Sequence, residues 1–475
     1  MDKLLRGIKS QTIDLSTLDL IPSFVNIAYY FYYSNDAADV KFMPTELLRE
    51  SFYMALLDFP MLVGRLEADG AGHASIVVDK DNLNVPEFLI SQSSVHFRDL
   101  QASKFGWDAL PDGANTVGAI ATANSNGEMK TANVHVVRLR DNSGIVMFIS
   151  VAHYLFDGVG YCEFVNRWSE LCCWMQSDQS MNESPTCYCS YDRRTIVDKL
   201  PDERKALDDS TNNVITATGP LVRWMAWLSP NTRARLFDTS LLHMPVVGHI
   251  FHIPATSLSW LHASVREYIS SGVRISDNDI ITALLTMTVA QSETESKRDS
   301  ASASYWSSLA SYLFPSMHAP DSDFFTQVVI DMRPRLSGLS TARYTGNSVL
   351  SGCLVNSMKS LTSNVSEQLL ALIAENVRQL VNYVDPQYIG QYIDTLHKDP
   401  MCFMCPTTFA HSKKPLLLSN QSRFPLYHAD FGAGIPTWVS PLRTFFPNFS
   451  SILPTHPSKD GRFIYISMTE QAMTK

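Results

Sequence analysis

The sequence has no excess of basic residues: 38 Lys and Arg stand against 47 Asp and Glu, a formal charge of −9, with no long cluster of Lys and Arg. A chain that binds nucleic acid through its phosphates shows the opposite balance or a concentrated basic face, so nucleic acid is not an expected partner. Long apolar runs are also missing. The most apolar stretch, 145–152, is far short of the roughly 18 residues that span a bilayer. The start, Met1-Asp2-Lys3-Leu4-Leu5-Arg6, has neither the apolar core nor the small-residue cleavage pattern of a secretory signal. A cytoplasmic protein without a membrane span is therefore expected. Cysteine is sparse, eight in 475 residues, with Cys172 and Cys173 adjacent in an apolar helical pattern and Cys353 alone, which makes no disulfide framework. Cys402-Phe-Met-Cys405 has zinc-ligand spacing but no second close Cys/His pair, so no metal is expected. No Gly-x-Ser-x-Gly elbow supports a serine hydrolase, and no repeat of fixed short period is present.

What is present is ample apolar material: 45% of the residues are hydrophobic, enough for two or three domains at roughly 150 residues each. Strand and helix signals alternate. The spacing of Leu47, Leu48, Ser51, Phe52, Ala55 and Leu56 predicts a helix that stops at Phe59-Pro60. Two β-rich runs, 132–139 and 145–152, flank Arg140-Asp-Asn-Ser-Gly144, a hairpin turn. From Gly158 the period changes to i, i+3, i+4, i+7 through Tyr161, Phe164, Val165, Trp168, Leu171, Cys172 and Met175, a helix. Further helices are predicted after the cap Ser276-Asp-Asn-Asp279 and over Ser366–Tyr383, with strands over Phe325–Met332 and Phe463–Met468. Between 176 and 220 the composition turns polar and aperiodic. This predicts an α/β chain with an N-terminal domain over 1–190, a crossover linker over 191–220 and a C-terminal domain over 221–475.

The loop between the second β-rich run and the helix reads His153-Tyr-Leu-Phe-Asp157-Gly158. An imidazole at a strand end titrates near neutrality and can be aimed into a cleft, which is what a general base requires. The spacing alone is weak, because His456-Pro-Ser-Lys-Asp460-Gly461 satisfies it as well. That second copy sits in a polar, Pro-containing segment and is read as a turn. For the first, a satisfied loop histidine with Asp157 capping the helix stays an open alternative on spacing alone.

Near the C-terminus stands Asp430-Phe431-Gly432-Ala433-Gly434. Together with the His153 loop it resembles the BAHD acyltransferases, whose signatures are His-x-x-x-Asp-Gly and Asp-Phe-Gly-Trp-Gly. Leu56-Leu-Asp-Phe-Pro60 with Gly64-Arg65-Leu66, Ser276-Asp-Asn-Asp279, Asp331-Met-Arg333-Pro-Arg335 and Tyr344-Thr-Gly346-Asn347 extend the match over most of the chain. The resemblance implies two chloramphenicol-acetyltransferase-like domains, each a mixed sheet flanked by helices, with a channel at their interface. It implies acyl transfer from acyl-CoA, the cosubstrate, to a hydroxyl or amine of a small molecule, with no metal and no tightly bound cofactor. His153 is then the general base, and Asp157 pairs with Arg333 to hold the loop. Gly158 lets the backbone turn tightly. Ser419, eleven positions before Asp430, supplies the oxyanion donor that plant members take from a Thr. Asp430, Phe431, Gly432 and Gly434 shape a loop on the coenzyme side.

Two departures stand out. Ala433 replaces the Trp of the second signature, for which local repacking is expected, and Asn420-Gln421 replaces a common Ser-Trp, which alters the acceptor pocket. The pattern is closer to the fungal secondary-metabolite branch than to the plant phenolic one, and a monomer that acylates a hydroxyl is expected. A carrier-dependent condensation domain would have a second His where Ala152 stands. A catalytically inactive binding protein on the same fold would not need both His153 and Ser419. Because the chain is acidic while coenzyme A is highly anionic, a local basic mouth is expected, for which Lys413 and Lys414 are candidates by charge alone.

Overall fold

A computed structural model describes residues 5–20, 25–68, 73–114, 129–177, 184–204, 246–299, 323–363, 365–398, 416–444 and 447–475. The strands are β1 (Gln11–Asp14), β2 (Asn26–Ser34), β3 (Arg65–Ala68), β4 (Ala74–Val78), β5 (Glu87–Gln92), β6 (Ala132–Arg138), β7 (Gly144–Ala152), β8 (Val246–Ile253), β9 (Asp323–Asp331), β10 (Val349–Ser357), β11 (Leu416–Asn420), β12 (Trp438–Pro441), β13 (Phe449–Leu453) and β14 (Arg462–Thr469). They form a five-stranded sheet in the order β12-β2-β7-β6-β5, a six-stranded sheet in the order β10-β9-β11-β13-β14-β8, and a three-stranded sheet β1-β4-β3. The two larger sheets are mixed, each combining parallel and antiparallel pairs, as an α/β chain of this pattern predicts. The small antiparallel sheet is an addition to that expectation.

All nine residues of β7 are buried, which explains why its sequence reads as an unbroken apolar run: the sheet is covered on both faces. On one face the helices Thr45–Asp58 and Gly158–Gln176 bring Leu48, Phe52, Phe164 and Trp168 against Phe31, Tyr33, Met147 and Ile149. On the other, Tyr30, Tyr32, Val146 and Phe148 pack with Phe97 and Leu100. The six-stranded sheet is covered by Asp277–Asp299 and Glu367–Tyr383, through Ile280, Ala283, Leu370, Ile373 and Val377 on Leu416 and Ile466. The predicted cap Ser276–Asp279 is present, Asp279 accepting from the Ser276 N–H at 2.6 Å, and Ser366, expected as the first helical residue, is instead the cap, accepting from the Leu369 N–H at 3.2 Å.

The halves of the chain are interleaved. β12 leaves the C-terminal half and pairs with β2, Trp438 opposite Tyr32 and Val439 opposite Phe31. Just before it, Leu426, Tyr427, Ala429 and Phe431 enter the N-terminal core. The last third of the sequence is thereby tied to the sheet that carries His153.

Candidate active site

β7 ends at Ala152, and the next residue is His153, whose N–H donates to the Val25 carbonyl at 3.0 Å. The three residues that follow, Tyr154, Leu155 and Phe156, are fully buried, so the loop is clamped while the His153 ring stays partly exposed. Asn347, on the segment leading into β10, holds the ring. Its amide Nδ2 donates to the His153 carbonyl at 2.8 Å and to Asp19 Oδ1 at 2.9 Å, while its Oδ1 lies 3.1 Å from His153 Nδ1. Both partners of Nδ2 are acceptors, which fixes the amide orientation. His153 Nδ1 then carries the hydrogen and Nε2 keeps its lone pair. Burial lowers the His153 pKa below its usual 6.5, opposed by a hydrogen bond with its own carbonyl, by the Asp157 charge, by Asn347 and by Asp19. The neutral base is thus the prevailing form at pH 7.

Asp157 is both the cap and the salt-bridge partner. It precedes the helix Gly158–Gln176, and its Oδ1 accepts from the Val159 and Gly160 N–H groups, each at 3.1 Å. Arg333 pairs with it in a bidentate fork, Nη1 to Oδ2 at 2.8 Å and Nη2 to Oδ1 at 2.9 Å. The Ser348 N–H adds a bond at 3.0 Å, and Arg333 also donates to the Tyr344 and Gly346 carbonyls at 2.9 and 3.0 Å. Burial alone would raise the Asp157 carboxyl; the Arg333 guanidinium and these hydrogen bonds outweigh it and hold the group below its ordinary value. The carboxylate therefore joins the His153 loop to the segment entering β10 and has no bond to the imidazole.

Gly158 does not have the left-handed backbone expected of a tight turn: it is the first helical residue, and a Cβ there would lie 2.2 Å from the Phe424 ring. Its constraint is close approach rather than φ. Two residues on, a Cβ on Gly160 would lie 1.9 Å from the Thr345 carbonyl oxygen, and Thr345 is pinned by its N–H to Ser190 O at 2.8 Å. Gly160→Ala should therefore destabilise the protein by about 1–3 kcal/mol, read as a lower urea midpoint with unchanged slope.

Ser419 is the fourth residue of β11, opposite Ser451 of β13. Gln421 accepts from the Tyr29 hydroxyl at 2.9 Å, and its Nε2 lies 3.5 Å from Ser419 Oγ, the outer limit of a hydrogen bond. The residue that departs from the plant pattern thus bridges β2 to the Ser419 hydroxyl. If Oγ accepts there, its own hydrogen is left to donate. No direct hydrogen bond joins Ser419 to His153.

The Asp430–Gly434 loop sits elsewhere. Asp430 Oδ1 accepts from the N–H groups of Gly432, Ala433 and Gly434 at 2.8, 3.1 and 2.9 Å, and both glycines have φ near +90°, at +89° and +88°. Only glycine takes that backbone without strain. Phe431 is buried edge-on against Trp168, with ring centroids 4.7 Å apart, and its carbonyl accepts from Gln176 Nε2 at 2.8 Å. Gln176 ends the helix that Asp157 starts, roughly 27 Å away at 1.5 Å per residue. The loop is thus remote from His153. The repacking expected around Ala433 is not seen: the position is exposed and leaves no buried space to fill.

His456, the second copy of the spacing, is half-buried edge-on against the Tyr427 ring and bonds Ser458 Oγ at 2.7 Å in the loop between β13 and β14. Lys413, Lys414, Cys402 and Cys405 lie outside the described residues. Sequence reasoning missed Asp19, Arg193 and the role of Asn347. Asn347 stood in a quoted segment, but nothing local marks the contact it makes.

The family model described as "Transferase family" matches residues 6–217 and 277–475. A hydroxycinnamoyltransferase of Narcissus pseudonarcissus is 22% identical over 98% of this chain and 94% of that protein. A hydroxycinnamoyl-CoA:5-hydroxyanthranilate N-hydroxycinnamoyltransferase of Avena sativa is 21% identical over 96% and 92%. Among solved structures, F. sporotrichioides TRI101 complexed with coenzyme A and T-2 superposes with a TM-score of 0.71 at 16% identity, over 98% of this chain and 96% of that one. The fold and the match over most of the length define a CoA-dependent acyltransferase. The chain belongs to the Transferase family, the BAHD acyltransferases.

Proposed function

We propose that the protein moves an acetyl or other short acyl group from acyl-CoA to a hydroxyl of a small secondary metabolite, in one ternary complex with His153 as the base. The observation that carries this reading is the free Nε2 of a neutral, clamped imidazole, set by the 3.1 Å contact of Nδ1 with Asn347. Nε2 takes the proton of the acceptor hydroxyl as its oxygen attacks the thioester carbonyl. The carbonyl electrons move onto oxygen, where the Ser419 hydroxyl donates a hydrogen bond. As the intermediate collapses, the C–S bond breaks and the coenzyme sulfur recovers the proton from Nε2. No protein nucleophile takes part. Ser419→Ala should lower kcat by about 10²–10³, the loss usual for one oxyanion donor, and Ser419→Thr should restore it.

Enzyme incubated with labelled acyl-CoA and no acceptor should carry no stoichiometric protein-bound acyl group, read by intact-protein mass spectrometry. A stoichiometric adduct would remove direct transfer. A panel of acyl-CoAs and metabolite alcohols and amines then identifies the product. An amine acceptor is the second reading, favoured by the N-acylating name of the Avena sativa relative. We put the substrates between the two larger sheets and take 1–190 and 221–475 as the domains and 191–220 as their linker, with β12 and the segment before it reaching from the second domain into the first; residues 205–220 of that linker lie outside the described residues. We take the protein to be a cytoplasmic monomer. Among the described residues no helix is long and apolar enough to cross a membrane.

A further inference from the structure

Behind the His153 ring lies a second layer of buried polar groups that the reaction as written does not use. Asp19 is fully buried. Its Oδ2 accepts from the Ser16 N–H at 2.8 Å, the Ser16 hydroxyl at 2.7 Å and Arg193 Nε at 3.0 Å. Its Oδ1 accepts from the Asn347 backbone N–H at 3.2 Å and from Asn347 Nδ2 at 2.9 Å. Arg193 is anchored in turn, Nη2 to the Leu155 carbonyl at 2.6 Å and Nη1 to the Tyr191 carbonyl at 3.1 Å. Leu155 belongs to the His153 loop itself.

We propose that Asp19 and Asn347 are positioning residues for catalysis: Asp19 locks the Asn347 amide so that its oxygen can face only a protonated Nδ1, which keeps His153 Nε2 free to act as base. Free imidazole favours hydrogen on Nε2, so without this lock only the bond with its own carbonyl would hold the ring against the unproductive tautomer. The arrangement separates orientation from charge. A carboxylate placed directly on Nδ1 would hold the ring protonated to higher pH; here a neutral amide touches it and the carboxylate stands one layer back, paired with Arg193. The charged groups around the ring are then Asp19 with Arg193 on one side and Asp157 with Arg333 on the other.

The inference rests on the reading of His153 as the base, and the experiment separates the two. In the ¹⁵N-histidine spectrum of the intact wild-type protein at pH 8, the signals lost in His153→Ala should show a protonated Nδ1 and an unprotonated Nε2. A protonated Nε2 overturns the proposal without requiring any variant of the lock to fold. In Asn347→Ala and Asp19→Asn, kcat should fall at least about tenfold with little change in the acyl-CoA KM. The acid limb of kcat/KM should move to lower pH in both, because each group favours the protonated ring. The double variant should be little worse than Asn347→Ala, since Asp19 orients the ring through Asn347. Folded single variants with wild-type kcat and an unmoved limb overturn the proposal. If His153→Ala is itself fully active, it is the general-base reading that fails, whichever tautomer is found.

Discussion

Replacing His153 by Ala should lower kcat by about 10²–10⁴, the usual range for loss of a positioned general base. The drop should appear in kcat more than in the acyl-CoA KM, because the ring contributes to the transition state rather than to holding the coenzyme. The pH profile of the wild type gives a second measure. The base must be neutral, and burial holds its pKa below 6.5, so kcat/KM should stay level through pH 7 and fall only below 6.5. An acid limb centred above 6.5 would mean that another group is the base. The same shift couples to folding. The unfolded state takes up a proton near 6.5, where the folded ring does not, so this group's contribution is full above 6.5 and shrinks as pH falls toward the folded value. His153→Ala should flatten that part of the stability curve. His456→Ala, at the copy of the spacing that lies in the turn between β13 and β14, should leave rate and profile unchanged; a comparable loss there would show that the two imidazoles had been told apart wrongly.

The contrast between these two histidines shows how much the sequence could say. The apolar run 145–152 and the change of period at Gly158 placed His153 at a strand end before a helix, as β7 and Gly158–Gln176 now do. Local periodicity reflects which faces are buried, and both elements bury theirs. The turn Arg140–Gly144 was legible for a similar reason: Asp141 and Asn142 take positive φ, which Asx residues tolerate. Contacts between distant segments leave no such trace. Asn347 and Asp19 are 328 residues apart, and Ser16-Thr-Leu-Asp19 reads as an ordinary helix start. β12 is four residues long and shows no alternation that would assign it to the N-terminal sheet. Gln421 looked like a departure that alters a pocket, and only its bond from Tyr29 shows what it holds. Asp157 pairs with Arg333 as the family resemblance implies, a pairing that spacing alone cannot supply.

That pair carries the other large effect. Asp157→Ala should destabilise the protein by about 3–5 kcal/mol, because it strips a buried guanidinium of its bidentate partner. About 1 kcal/mol more is expected from the lost helix cap. Arg333 is 5% exposed, and its remaining carboxylate, Asp331 at 3.2 Å, is only partly buried. Arg333→Ala should cost a similar amount, and the double variant much less than the sum, since each single change leaves the other charge buried alone. Additive losses in chemical denaturation would show that the fork is not one unit. The sign of the pH effect follows from the lowered Asp157 carboxyl. The unfolded carboxyl protonates near 3.8 while the folded one stays ionised, so the stabilisation is present above that pH and is lost as pH falls through the folded value. Asp157→Ala should therefore remove part of the wild-type loss of stability below about pH 4. Catalysis by the molecules that remain folded should suffer far less than in His153→Ala, because the carboxylate has no bond to the imidazole. It reaches the ring only through its charge, which favours protonation, so the acid limb of kcat/KM in Asp157→Ala should lie at lower pH than in the wild type. A folded Asp157→Ala protein with kcat as low as that of His153→Ala would instead place the carboxylate in the chemistry.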